Sequence, residues 1–234
     1  MPLRKKIHQI FFKFDKRQLE DFPVFMASHN AFKRMRGWRY CLWDEQAVER
    51  LCRTRYPQIW STYRRLKYDI QRVDLAKYMI ADAYGGVVAD LDTLPRCHVD
   101  NIIGENPYLF DRCSRPNIIA NDFFYIGGAG GLPGIFDYFT KNLARVNAIP
   151  VYQQRKMRYV FHTTGPDFFT RYLKLRGLRD YVQAISNRTF LDPKQRYRSV
   201  STDNPQIDVI HHLSWASQLE HHADGLSSND TSAS

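Results

Sequence analysis

The chain has 234 residues, 44% hydrophobic and 25% charged, which suits one soluble globular domain with a sizeable core. No apolar run approaches the roughly 20 residues of a membrane span, and the basic start Met1-Pro2-Leu3-Arg4-Lys5-Lys6 is followed by no small-residue cleavage site. A cytoplasmic or otherwise soluble protein without signal peptide or anchor is expected. The net charge of +10 favours an anionic partner, such as a phosphate-bearing substrate or a membrane surface touched peripherally.

Residues 7–12 read as a short buried strand and 38–43 as a second, with a helical stretch over 21–32 between them. Residues 45–66 have helix-like spacing broken by Pro57, hence two short helices. The clearest helix is Asp69–Tyr84, with Ile70, Val73, Ala76, Ile80 and Ala83 on one face. Gly85-Gly86 ends it, and 87–92 follows as a buried strand stopped by Pro95. Residues 121–126 read as a strand leading into a flexible glycine-rich loop, 127–131, on the acceptor side. It lacks the Lys-Ser/Thr of a phosphate-binding P-loop. An amphipathic helix over 133–146 comes next. Thr164-Gly165-Pro166 opens another that ends before Gly177, and 207–210 is a late strand. From residue 221 the chain is Ser, Asp, Asn and Gly, the composition of a disordered tail. Alternating strands and helices indicate an α/β sandwich, with one domain over 1–220.

Cys41, Cys52, Cys97 and Cys113 form no C-x-x-C pair, so free thiols are the simplest reading. Asn187-Arg188-Thr189 and Asn229-Asp230-Thr231 fit the glycosylation sequon, which carries little without a secretory signal.

The chemistry centres on Asp90-Leu91-Asp92. On a strand, residues two apart point to one side, and two carboxylates at the end of an apolar strand are costly unless something neutralises them. A hard divalent cation does so with oxygen ligands. Asp74 and Lys77 are three apart on the preceding helix and share a face. The glycine turn returns the chain toward that face, so Asp74, Lys77, Asp90 and Asp92 are expected to line one pocket.

Several separated stretches occur in an order that resembles the glycosyltransferases with a DXD sugar-binding region. They are Ile7-His8-Gln9-Ile10, Leu42-Trp43-Asp44, Ile70-Gln71-Arg72-Val73-Asp74, Tyr84-Gly85-Gly86 with Asp90-Leu91-Asp92, Asn121-Asp122-Phe123, Thr164-Gly165-Pro166, and His211-His212 with Trp215. That group includes fungal outer-chain-initiating and inositolphosphoceramide mannosyltransferases and, more distantly, the glucosylating toxin domains. The resemblance implies a GT-A fold, a Rossmann-like mixed sheet between helices. It implies Mn²⁺ or Mg²⁺, a UDP- or GDP-sugar donor, and a glycan, glycolipid or protein acceptor. On that resemblance Asp90, Asp92 and His212 (or His211) hold the metal. His8, Gln9, Trp43, Asp44, Asp74, Lys77, Asp90 and Trp215 line the donor, and Asn121, Asp122 and Lys77 act near the transferred sugar. Lys77 stands where relatives often carry arginine, so a bidentate contact is missing from its repertoire.

Two other classes compete. A haloacid-dehalogenase-like phosphatase would use Asp90 as nucleophile, but it needs threonine two places after Asp92, where Leu94 stands. A basic nucleic-acid binder would interleave aromatics with Arg and Lys, whereas the aromatics here fall at core spacing.

Overall fold

The computed structural model describes residues 5–13, 15–113, 115, 117–153, 155–191 and 197–212, with backbone alone at 153, 190–191, 197–200 and 211–212. The tail expected from 221, and Trp215, lie outside the described residues. The first half runs β1 (Lys6–Ile10), α1 (Pro23–Lys33), β2 (Arg39–Trp43), α2 (Glu45–Arg55), α3 (Pro57–Arg64), α4 (Asp69–Tyr84), β3 (Gly86–Ala89), β4 (Thr93–Pro95) and α5 (Val99–Ile103). The second half runs β5 (Tyr108–Arg112), β6 (Ile119–Ile126), α6 (Ile135–Asn147), α7 (Pro150–Gln153), α8 (Lys156–Thr163), α9 (Pro166–Leu175), β7 (Val182–Gln183), β8 (Ser186–Leu191), β9 (Tyr197–Val200) and β10 (Ile207–His212).

A six-stranded sheet in the order β2-β1-β3-β6-β5-β7 forms the centre. β1 runs parallel to β2 and β3, while β6 is antiparallel to β3 and β5. Strand alternation sends neighbouring side chains to opposite faces. In β6, Phe124 and Ile126 enter a core shared with α2, α3, α4, α6 and α9. Phe123 and Tyr125 enter a second core with Phe32 of α1 and Val99, Ile102 and Ile103 of α5. The expected mixed sheet between helices is present.

Helix α4 has the bounds its apolar spacing predicts. It differs from the amphipathic expectation because it is buried nearly all round, Asp74 and Lys77 included. Such a helix carries charge only where partners wait for it.

Two expectations are corrected. Residues 87–92 are not one strand: β3 stops at Ala89, and the Thr93 amide donates to the Asp90 carbonyl (3.1 Å), so Asp90–Thr93 form a turn. A turn lets two adjacent aspartates reach solvent, which a buried extended strand would deny them. The glycine loop 127–131 lies at the end of β3 opposite that turn. The Gly127 amide binds the Pro107 carbonyl (2.8 Å), the Gly130 amide binds the Asp82 carbonyl (2.6 Å), and Gly128 backs onto Gly85. The loop packs against the end of α4 and is remote from the aspartates.

A second sheet, β4-β10-β8-β9, was not expected. Its first strand follows directly from Asp92 and pairs antiparallel with β10, Val209 opposite Thr93. Cys41, Cys52 and Cys97 are free thiols, as expected.

Candidate active site around the Asp90–Asp92 turn

Lys77 stands at the middle of the site. Its ammonium lies 2.7 Å from Asp90 Oδ1, 2.8 Å from Asp90 Oδ2 and 3.4 Å from Asp74 Oδ1. Burial works against the lysine's charge, but Asp90 and then Asp74 outweigh it and hold its pKa above the ordinary value. Asp74 is itself fixed on both oxygens: the Asn121 amide donates to Oδ1 (2.8 Å) and the Thr164 hydroxyl to Oδ2 (3.1 Å). The Tyr78 hydroxyl accepts from the Asn121 amide (3.2 Å) and donates to the Thr164 carbonyl (2.7 Å). Helix α4, strand β6 and the start of α9 thus meet at one carboxylate.

The turn is tied down from the other face of the sheet. The Gln9 side chain donates to the Asp90 carbonyl (3.2 Å) and to the Ser28 hydroxyl (2.8 Å), which in turn donates to the Thr93 carbonyl (2.5 Å). The Asp90 amide donates to the Asp122 carbonyl (2.7 Å), and the Ile210 amide to the Asp92 carbonyl (2.9 Å). With its backbone held this way, the turn keeps Asp90 at 31% side-chain exposure, against 3% for Lys77, while Leu91 turns into the core.

On the far side, Arg188 of β8 ion-pairs with both Asp122 and Asp111. The site therefore gathers Asp74, Asp90, Asp92, Asp111 and Asp122 around two cations, Lys77 and Arg188. Negative charge is in excess. Burial raises the pKa of both Asp90 and Asp92; repulsion from Asp122 adds to it at Asp90, and repulsion from Asp90 and Asp122 adds to it at Asp92. These are the conditions under which a hard cation binds. Among the described residues, no group of three or more His, Cys, Asp or Glu side chains is assembled for a metal. His212 lies at the end of β10, opposite Leu191 of β8, with only its backbone described.

The structure brings together Asp74, Lys77, Asp90, Asp92, Asn121 and Asp122. Gln9 supports them through the Asp90 carbonyl. His8 stands apart: its ring contacts the Gly85 carbonyl through Nε2 (3.0 Å) and accepts from the Trp43 indole at Nδ1 (3.1 Å). Trp43 packs on Tyr84 at 5.5 Å between ring centroids. Asp44 caps α2 by accepting from the Ala47 amide (2.7 Å). Sequence reasoning missed Ser28, Tyr78, Asp111 and Arg188 as parts of the site. The only signal at Arg188 was its place inside a sequon.

A mixed sheet between helices, with paired aspartates at a strand-end turn over a buried lysine, is the arrangement of the GT-A fold. More particularly, residues 24–109, a range that contains Asp90-Leu91-Asp92, match the family model described as the glycosyltransferase sugar-binding region containing the DXD motif. The uncharacterized glycosyltransferase L373 of Acanthamoeba polyphaga mimivirus is 24% identical, over 92% of this chain and 83% of its own. The mannosyl phosphorylinositol ceramide synthase SUR1 of Saccharomyces cerevisiae is 27% identical over 57% of this chain; the match spans only 33% of the yeast protein. The solved PaToxG glycosyltransferase superposes with a TM-score of 0.52 at 15% identity, over 76% of this chain and 72% of its own, a likeness of fold. No helix among the described residues is long and apolar enough to cross a membrane.

Proposed function

We propose that residues 1–220 form one catalytic domain that transfers a sugar from a UDP- or GDP-sugar to a glycan, glycolipid or protein acceptor. The transfer retains anomeric configuration and uses Mn²⁺ or Mg²⁺. The observation that carries this reading is the surplus of carboxylates at a turn whose backbone is fixed and whose Asp90 remains partly exposed. The ceramide-type name of the yeast relative supports the lipid branch of the acceptor class.

In this reading Asp92 and Asp90 would hold the cation, with His212 (or His211) as a further ligand. A bound cation would supply Lewis-acid stabilisation of the charge that develops on the leaving diphosphate. The chain's own residues do the rest. Asp74, locked by Asn121 and Thr164, accepts hydroxyl protons of the donor sugar. Lys77 offsets part of the burial and repulsion that raise the pKa of Asp90, and pairs with Asp74 as well. Trp43 and Asp44 flank the base, His8 braces Trp43 while Gln9 holds the Asp90 carbonyl, and Trp215 is assigned to the diphosphate by the resemblance alone. Asp122 is engaged by Arg188, which makes it a fixed charge near the sugar rather than a nucleophile. Attack therefore comes from the front face. The acceptor oxygen bonds to the anomeric carbon as the bond to phosphate breaks, and the departing phosphate oxygen takes the acceptor's proton.

The test is a panel of nucleotide sugars with Mn²⁺, scored by hydrolysis and thermal shift. One donor is expected to give metal-dependent release of sugar, and Asp92→Ala is expected to lower it about a hundredfold or more. Metal-dependent turnover that survives in Asp92→Ala would remove the site assignment. Proton NMR of the product reads the stereochemistry, and an inverted anomer would overturn the front-face mechanism. Phosphate release from a simple phosphomonoester would revive the phosphatase.

The basic corner formed by α2 and α3 is the surface that would meet an anionic membrane.

A further inference from the structure

Arg188 is the largest fully buried side chain of the described core. Its guanidinium reaches Asp122 through two nitrogens, one contact at 3.0 Å to Oδ1 and a shorter one to Oδ2. The same group reaches Asp111. Asp111 is held in turn by the Ser186 hydroxyl (2.5 Å) and the Ile185 amide (3.2 Å), both from the segment that leads into β8. Replacing a buried triad of this kind by well-packed apolar residues is commonly neutral or stabilising. Stability alone therefore gives no reason for its presence.

Its placement suggests another reason. β8 lies beside β10, with Arg188 opposite Val209, and Val209 lies opposite Thr93 of β4. β4 emerges directly from Asp92, and the Asp90 amide hangs on the carbonyl of Asp122. One cation thus clamps the carboxylate of Asp122 while the backbone of the same residue holds the first aspartate of the motif.

We propose that Arg188 is a positioning residue that fixes Asp122, and through it the Asp90–Asp92 turn, so that the second sheet takes part in the transfer reaction. This rests on the glycosyltransfer reading for its kinetic consequence and on geometry alone for its structural one. A guanidinium can serve both carboxylates at once because it presents a planar fork of donors. A lysine can serve one of them well.

The experiment uses the full chain in four forms: Arg188→Lys, Arg188→Met, Asp122→Asn, and Arg188→Met with Asp122→Asn. Turnover of the best donor from the panel is measured beside amide exchange at Asp90. Arg188→Met is expected to lower kcat about tenfold to a hundredfold, the range typical when a group that orients active-site ligands is removed, with donor KM changed by less than about twofold. Arg188→Lys is expected to recover part of that loss. The double variant should be no slower than Asp122→Asn alone, because Arg188 acts through Asp122. Exchange of the Asp90 amide should quicken at least about tenfold in Arg188→Lys while α4 amides hold their rates.

A folded Arg188→Met with unchanged kcat would overturn the proposal. So would losses that multiply in the double variant, or a loss that tracks only the folded fraction. If Arg188→Met fails to fold, Arg188→Lys decides by the same two measurements. If the wild type turns over no nucleotide sugar, the transfer reading fails. The exchange rate at Asp90 then decides for or against Arg188, and an unchanged rate overturns it.

Discussion

Burial sets the charge of His8. Its ring is 1% exposed, and desolvation pushes its pKa down to about 4. The folded chain therefore binds His8 as the neutral ring, while the unfolded chain takes up a proton near pH 6.5. Between those values the unfolded state holds more protons, so stability rises with pH across the window. His8 is expected to contribute about 3 kcal/mol above pH 6.5 and to lose it as the pH falls toward 4. Urea midpoints of wild type and His8→Gln across pH 4–7 check this: the wild-type slope should be the steeper, and equal slopes would count against it. Lys77 is a sharper case, because Asp90 and Asp74 both depend on it. Lys77→Met should cost about 3–5 kcal/mol by leaving buried carboxylates uncompensated, read as a fall in the urea midpoint. Asp74 and Lys77 were legible in the sequence because helix spacing brings positions three apart together. Arg188 was not, since Asp122 and Asp111 lie 66 and 77 residues away and no local pattern connects them.

The bounds of α4 were legible for a related reason: its apolar spacing is long and its end is marked by two glycines. Those glycines are required by geometry. Gly86 has φ +96°, and a Cβ there would sit 2.4 Å from the Lys6 carbonyl oxygen of the neighbouring strand. Gly86→Ala is expected to destabilise by at least about 2 kcal/mol, combining backbone strain with displacement of β1. A thermal melt measures this, and a change below about 0.5 kcal/mol would show that β1 gives way easily. Several of the elements that escaped the sequence reading are short. β4, β7 and β9 have at most four residues each, too few to show a period of two. The break after Ala89 escaped as well, because Asp90-Leu91-Asp92 continues an apolar alternation that only the carboxylates' need for solvent interrupts.

The chain's charge of +10 is not evenly spread. From residue 46 to 68, across α2 and α3, Arg50, Arg53, Arg55, Arg64, Arg65 and Lys67 are exposed, and the stretch contains only one acidic residue, the half-buried Glu49. Trp60 sits between two of these cations, with the Arg53 and Arg64 guanidinium carbons 5.5 and 5.7 Å from its ring. An indole flanked by guanidinium groups suits the interface between anionic headgroups and acyl chains, because the ring tolerates partial dehydration and the cations meet phosphate. The carboxylate-rich active site carries the opposite sign, so it does not explain this positive field. The chain is expected to sediment with phosphatidylserine-containing vesicles at low salt, to release as ionic strength passes about 0.15 M, and to ignore phosphatidylcholine vesicles. Arg53→Glu with Arg64→Glu should weaken partitioning at least about tenfold and leave donor hydrolysis in solution unchanged, since neither residue touches the Asp90–Asp92 turn. Equal binding to neutral vesicles would assign the contact to apolar insertion. Failure to bind anionic vesicles, with a salt-sensitive shift of RNA by the same corner, would assign the charge to nucleic acid.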